Sequence, residues 1–234
     1  MTSNNAYTPI TKVLAAKRQI QAAIRLFFSK EDELAIHTIA SAAYGLLKGL
    51  KHSRGQNEAA EIYRTTIFYL IRDFRRGTLP KDFADDPTIM SEVEKIAYQL
   101  SSITAESKLS DVAKATIPPD LEKEYWRENN RTANFLKHAD QDPDGTLSRG
   151  QIDNYQLLLK CTSAYFDIDD DLGNEGFAFS LFAAANNSSY RSMEPAFNHL
   201  IHLMDRIPSP HRLDFFNELI FELNAGSRIP GEHG

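Results

Sequence analysis

Cysteine is nearly absent from this chain: Cys161 is the only one among 234 residues. A lone thiol excludes an internal disulfide and any cysteine-based zinc site within one chain, and it agrees with a reducing compartment. Long apolar runs are missing as well. Nothing approaches the roughly 18 consecutive apolar residues of a membrane span. The opening MTSNNAYTP has neither the basic nor the apolar region of a secretory signal. The expectation is a cytoplasmic protein with no membrane partner. Positive charge is not in excess either: the formal net charge of −6 leaves no global basic footprint for nucleic acid. Cations gather only locally, at Lys48, Lys51, His52 and Arg54 and again at Arg72, Arg75 and Arg76. Both groups fall near expected helix ends, where they complement the negative end of the dipole. There is no Walker loop, no dinucleotide-binding glycine pattern, no nucleophile elbow and no cysteine protease signature. No period of about 20 to 50 residues marks a solenoid.

What is present is ordinary globular composition, 42% hydrophobic and 25% charged, with apolar residues spaced for helices almost throughout. Ile10, Val13, Leu14, Ile20, Ile24, Phe27 and Phe28 outline a helix over 9–29, with Pro9 at an early helical position. The turn Ser29-Lys30-Glu31-Asp32 leads to a second helix over 32–50, whose small-residue run from Ala40 to Ala43 permits close packing. A third follows the polar segment 51–57 and stops at Gly77 and Pro80, with 77–87 read as a loop. Further helices are expected at 88–104, 119–139, 149–167, 175–187, 192–206 and 209–225. Pro118-Pro119, Asp142-Pro143-Asp144-Gly145 and Pro208-Ser209-Pro210 supply the breaks. The predicted fold is all-α, a compact bundle of about eight or nine helices forming a single domain over 1–225, with a flexible tail over 226–234.

The most informative stretch runs from Arg131 to Gln151. On a helix over 119–139, positions 131, 134 and 138 share one stripe, because seven residues at about 100° nearly complete two turns. Arg131, Asn134 and His138 would then project together. Arginine offers a permanent charge and forked donors, and histidine exchanges protons near neutral pH; in phosphodiester cleavage these are charge stabilisation and acid or base catalysis. The plainer explanation is a polar, partly exposed stripe in which Arg131 pairs with a carboxylate such as Glu128.

The spacing from Arg131 to His138 resembles the Arg-x4-6-His signature of the HEPN family. The segments Ala23-Ile24-Arg25-Leu26-Phe27-Phe28 and Ala35-Ile36-His37-Thr38-Ile39-Ala40 look like that family's opening helical hairpin. The similarity spans about residues 9–165. It implies a helical bundle, a homodimer that brings two motifs together, and a protein that binds or cleaves RNA or a nucleotide ligand. Many members are metal-independent endoribonucleases of toxin or defence systems that require no cofactor; others are noncatalytic binding modules. By this resemblance His138 is the catalytic acid or base and Arg131 the phosphate contact; Asn134, added from helical geometry, and Lys137 are further candidate ligand-binding residues. Thr132 stands where the family usually carries a stronger polar group.

The same stretch also reads as a single degenerate EF-hand-like loop over 140–151. Asp140, Asp142, Asp144, Gly145, Thr146 and Ser148 fall at positions 1, 3, 5, 6, 7 and 9 of such a loop, so calcium is a candidate ligand. Gln151 replaces the bidentate glutamate of position 12, and Pro143 restricts position 4. An ordinary turn accounts for the same letters: Asp-Pro-Asp-Gly turns the chain, Gly145 takes positive φ, and Ser148 with Gln151 forms a capping box for the next helix.

Weaker signals have plainer explanations. The run Asp167-Ile168-Asp169-Asp170-Asp171 reads as a solvated connection, with Gly173 ending one element and Glu175 near the start of the next. His199 and His202 sit one turn apart without the flanking glutamate of a metalloprotease. His37 lies in an apolar stripe and reads as a hydrogen-bonded core histidine rather than a ligand. A third possibility for the whole chain is an interaction module without catalysis.

Overall fold

A computed structural model describes residues 9–111, 118–138, 140, 142–186, 202 and 206–226. Among these there is no strand. They form ten α-helices, nine of at least seven residues, in keeping with the all-α expectation. In chain order the helices are α1 (Lys12–Phe28), α2 (Glu33–Ser53), α3 (Glu58–Arg76), α4 (Lys81–Ala84), α5 (Pro87–Gln99), α6 (Pro119–Asn129), α7 (Arg131–Lys137), α8 (Asn154–Phe166), α9 (Gly173–Asn186) and α10 (Arg212–Asn224). The chain divides into two compact units, Gly55–Asn130 and the flanking segments Met1–Arg54 with Arg131–Gly234.

In the flanking unit, capping side chains set where helices begin. The Leu14 N–H donates to Thr11 Oγ1 at 3.1 Å, so α1 starts at Lys12 and Pro9 lies outside it. Asp32 accepts from the N–H groups of Leu34 and Ala35, at 2.9 and 3.0 Å, and opens α2. The short connection between them makes α1 and α2 antiparallel neighbours, and α1 also packs on α8, α9 and α10. Ile20, Ala23, Ile24 and Phe28 of α1 are consequently wholly buried. Phe28 stacks on Phe216 of α10, ring centroids 5.3 Å apart, and meets Phe182 of α9 edge-on at 5.3 Å. Rings of this size each contribute about 1.5–3 kcal/mol by leaving water.

In the unit Gly55–Asn130, Asn57 caps α3 through the Ala60 N–H at 3.1 Å, and Gly77, at φ +67°, ends it in a left-handed conformation. Phe68, Ile71, Ala97 and Ile103 form its core. Arginines of α3 reach across to backbone carbonyls: Arg75 Nη2 donates to Ala97 O at 2.8 Å and Arg76 Nε to Ala105 O at 2.6 Å. The start of α3 is joined to α6 by Tyr125 Oη, which donates to Glu58 Oε1 at 3.0 Å, and by Asn57 Nδ2, which donates to Glu122 Oε1 at 3.0 Å.

Several sequence expectations need correction. The loop over 77–87 contains the short helix α4, and the helix expected to reach 104 stops at Gln99. The single helix over 119–139 is two helices broken at Asn130, whose backbone leaves the helical conformation at φ −98° and ψ 2°. Asn129 and Asn130 stand together there, and asparagine competes with helical hydrogen bonding through its own side chain; Asn129 Nδ2 donates to Tyr125 O at 2.9 Å. Residues 149–151 are a separate 3-10 turn, and α8 begins only at Asn154, where Asp153 accepts from the Gln156 N–H at 2.9 Å. Most of the helix expected over 192–206 and most of the tail lie outside the described residues.

Candidate functional site

The break at Asn130 gives Arg131 a helix of its own to open. α7 spans only Arg131–Lys137, and His138 follows it directly, its N–H still bonded to Asn134 O at 2.9 Å. The backbone therefore holds helical register from Arg131 through His138, and the phase that groups 131, 134 and 138 survives the shortening. Arg131, Asn134, Lys137 and His138 are all exposed. Glu128, the expected partner of Arg131, is paired with Arg127 at 3.3 Å instead. Among the described residues, the side chains of Arg131, Asn134 and His138 make no ion pair or hydrogen bond.

The opposite face of α7 holds it in place. Thr132 is buried, and its Oγ1 donates to Gln151 O at 3.2 Å. A bulkier or charged group at 132 would face inward here, which gives Thr132 a structural reason of its own. α7 also packs on α2, where His37 is buried and its Nδ1 lies 3.1 Å from Asn154 Oδ1. Asn154 Nδ2 donates to Glu33 O at 2.9 Å, so the start of α8 is tied to the start of α2. Burial lowers the His37 pKa from its ordinary value, and Lys137 adds to that by repulsion, against the opposing effect of the Asn154 hydrogen bond. His37 is thus a hydrogen-bonded core residue, as its apolar stripe suggested.

The turn after α7 is built from its own side chains. Gly145 N–H donates to Asp142 O at 3.2 Å, closing a turn over Asp142-Pro143-Asp144-Gly145. Gly145 is not among the positive-φ glycines. A Cβ at 145 would stand 2.4 Å from Asp142 Oδ2, the end of an exposed side chain that folds back over its own turn and can swing away. The Gln151 side-chain oxygen accepts from the Ser148 N–H at 2.9 Å, so the residue at loop position 12 serves as a cap, for the turn Arg149–Gln151 rather than for α8. Arg149 Nε reaches Glu33 Oε1 at 2.8 Å and fastens this turn to α2. Asp140, Asp142, Asp144, Thr146 and Ser148 are exposed. Among the described residues no three of His, Cys, Asp or Glu converge as a group able to hold a metal ion.

The remaining charged features serve the scaffold. Arg75 and Arg76 are engaged on carbonyls, and Arg72 is bonded to Asp73 at 2.9 Å and lies 4.6 Å over the Tyr69 ring. In the acidic run, Lys51 holds Asp167 at 2.5 Å and Lys17 holds Asp171 at 2.8 Å. Asp171 also accepts from the Gly173 N–H at 3.0 Å, so Gly173 opens α9 instead of ending the element before it. His202 is exposed, and His199 lies outside the described residues.

Sequence reasoning did not pick out Asn154, Glu33 or Arg149 as supports of α7 and its turn. Glu33 and His37, one helical turn apart on α2, were the visible half of that support; the partner Asn154 lies 117 positions further along. Compared with known protein families, curated proteins and solved structures, the chain matches none.

Proposed function

We propose that the exposed face of α7 contacts phosphate, and that the chain is a HEPN-like helical protein that binds or cleaves RNA or a nucleotide ligand. One observation carries the reading: Arg131, Asn134 and His138 stand unpaired in helical phase on a helix whose other face is anchored, whereas the arginines of α3 are already engaged by their own unit. An arginine with free donors can grip a phosphate oxygen in forked fashion, asparagine adds a neutral donor, and Lys137 adds charge. His138 can take the proton from an attacking ribose 2′-hydroxyl, or give one to the leaving 5′ oxygen, and Arg131 can steady the charge on the phosphorane.

No metal is assigned to this chemistry. A homodimer, which the family resemblance implies, would supply a second Arg131–His138 pair, so that one histidine acts as base and the other as acid. The single buried Cys161 is compatible with the reducing cytoplasm. The test is incubation of the purified protein with mixed single-stranded RNA in excess EDTA, beside His138→Ala and Arg131→Ala. The expected result is cleavage that persists in EDTA and falls by about 10²-fold or more in the His138 variant. Cleavage or binding that is the same in all three proteins would refute the assignment. Calcium added without EDTA provides a second arm. Amide shifts at 140–151 that respond to calcium would move the site from α7 to the loop.

A further inference from the structure

We infer that Phe135 is the base-stacking residue of the α7 face: its ring takes the nucleobase of the nucleotide whose phosphate Arg131 grips. This rests on the reading of α7 as a phosphate-contact face and adds the part of the ligand that carries the base. Along a helix at about 100° per residue, Phe135 lies about 40° to one side of Arg131, and His138 about 20° to the other. Helical register is kept to the end of that stretch by the His138 N–H on Asn134 O at 2.9 Å. Phe135 is four residues after Arg131 and three before His138, spacings at which side chains are neighbours about 5–6 Å apart at Cβ. On the other flank Thr132, three residues back, is buried and ties the helix to Gln151 O. Phe135 therefore stands at the border between the anchored side of α7 and its open polar stripe.

The ring differs from the other phenylalanines of its unit. Phe28, Phe179, Phe182 and Phe216 close on one another in the core. Phe135 keeps 39% of its surface in water and, among the described residues, meets no other ring and no cation. Exposure alone is commonplace, and the charge around the ring decides. Phe221 is more exposed, but Glu218 lies one turn before it and Glu222 follows it. Phe166 is paired edge-on with Tyr165 and runs into the acidic segment 167–171. A phosphate is repelled from both. Phe135 has no carboxylate three or four residues away in either direction, and its neighbours there include Arg131 and His138. An inorganic anion would satisfy Arg131 and leave the ring in water. A nucleotide carries an anion and an aromatic heterocycle on one ribose, and so matches both.

Such a contact requires an unpaired base. Bases inside a duplex lie on one another and reach a side chain only by being drawn out at a cost. Every base offers a π-face, so the contact has little regard for sequence. It also displaces no counterions, so it adds affinity without adding to the salt dependence set by Arg131 and Lys137.

The experiment titrates the full chain, Phe135→Leu, Phe135→Tyr and Arg131→Ala across a range of salt. The probes are a short single-stranded RNA, the same sugar–phosphate strand without its bases, and adenosine monophosphate. Phe135→Leu should weaken RNA binding about fivefold or more at an unchanged salt slope, and Phe135→Tyr should stay within about twofold of the unaltered chain. The baseless strand should bind the unaltered chain and Phe135→Leu alike. Arg131→Ala should instead lower the salt slope by about one. Equal weakening of adenosine monophosphate by Phe135→Leu would assign a free nucleotide to the face, and an effect confined to the RNA would assign a strand. RNA binding that Arg131→Ala weakens and Phe135→Leu leaves unchanged would overturn the stacking role and leave the phosphate face standing. A baseless strand weakened as much as the RNA would also overturn it, because the ring would then act only by holding the helix. No binding, or binding indifferent to both residues, would overturn both readings.

Discussion

Glu175 offers a sharp test of the packing of the α-helical core, because its partner is only half withdrawn from water. Its side chain is 6% exposed against 48% for Arg25. Its Oε1 accepts from Arg25 Nη1 at 2.5 Å and from Asn224 Nδ2 at 3.2 Å, so one carboxylate joins α1, α9 and α10. The two ends of this pair should therefore fail unequally. Arg25→Gln leaves a buried carboxylate with Asn224 as its remaining donor. A fully buried pair broken in this way costs about 3–5 kcal/mol, which the half-exposed position of Arg25 discounts to about 2–3 kcal/mol. Glu175→Gln leaves the guanidinium to water and keeps an amide that Asn224 can still reach, so the loss is about 1 kcal/mol. The double variant should resemble Glu175→Gln alone, a coupling of roughly 2–3 kcal/mol. Urea unfolding, read as the midpoint at unchanged slope, measures all three. Equal costs for the two single variants, or additive behaviour of the double, would refute the reasoning.

Two further outcomes follow from local geometry. Lys30 ends α1 in a left-handed conformation at φ +57°, with Glu31 N–H on Leu26 O at 3.0 Å in a Schellman arrangement. Lys30→Gly should raise the urea midpoint, because relief worth about 1 kcal/mol exceeds most of what its exposed pair with Asp214 provides; a lowered midpoint would mean that the pair dominates. Burial pushes the Cys161 thiol up to about 12, so it stays protonated at mildly alkaline pH, and iodoacetamide should label it only in denaturant. Labelling of the native protein as fast as of the unfolded chain would contradict that burial.

The helical class was legible because apolar spacing and caps agree: Asp32 before α2 and Gly77 after α3 are local signals, and both hold. What periodicity could not reveal was interruption in phase. The pattern over 119–139 runs through Asn130 without losing register, so the break shows only in the Asn130 backbone, which leaves the helical conformation at φ −98° and ψ 2°. Long-range partners were equally hidden. Arg75 and Arg76 read as helix-end charges, yet they reach carbonyls more than twenty positions away. Gly145 was expected at positive φ, which it does not adopt; the nearest group a Cβ there would meet is the movable Asp142 carboxylate. At the candidate site the polar stripe of α7 was visible from spacing alone. Its support was not, since Thr132, His37, Asn154 and Gln151 act through contacts that no local pattern encodes.

The central claim, that α7 presents a phosphate-contact face, is tested most directly by titrating the full chain with a short single-stranded RNA and mapping amide shifts, with Arg131→Ala as the control. The account predicts shifts concentrated on residues 131–138 and weakened severalfold by the substitution, with a salt dependence appropriate to phosphate contacts. Shifts centred elsewhere, or binding indifferent to Arg131, would contradict it.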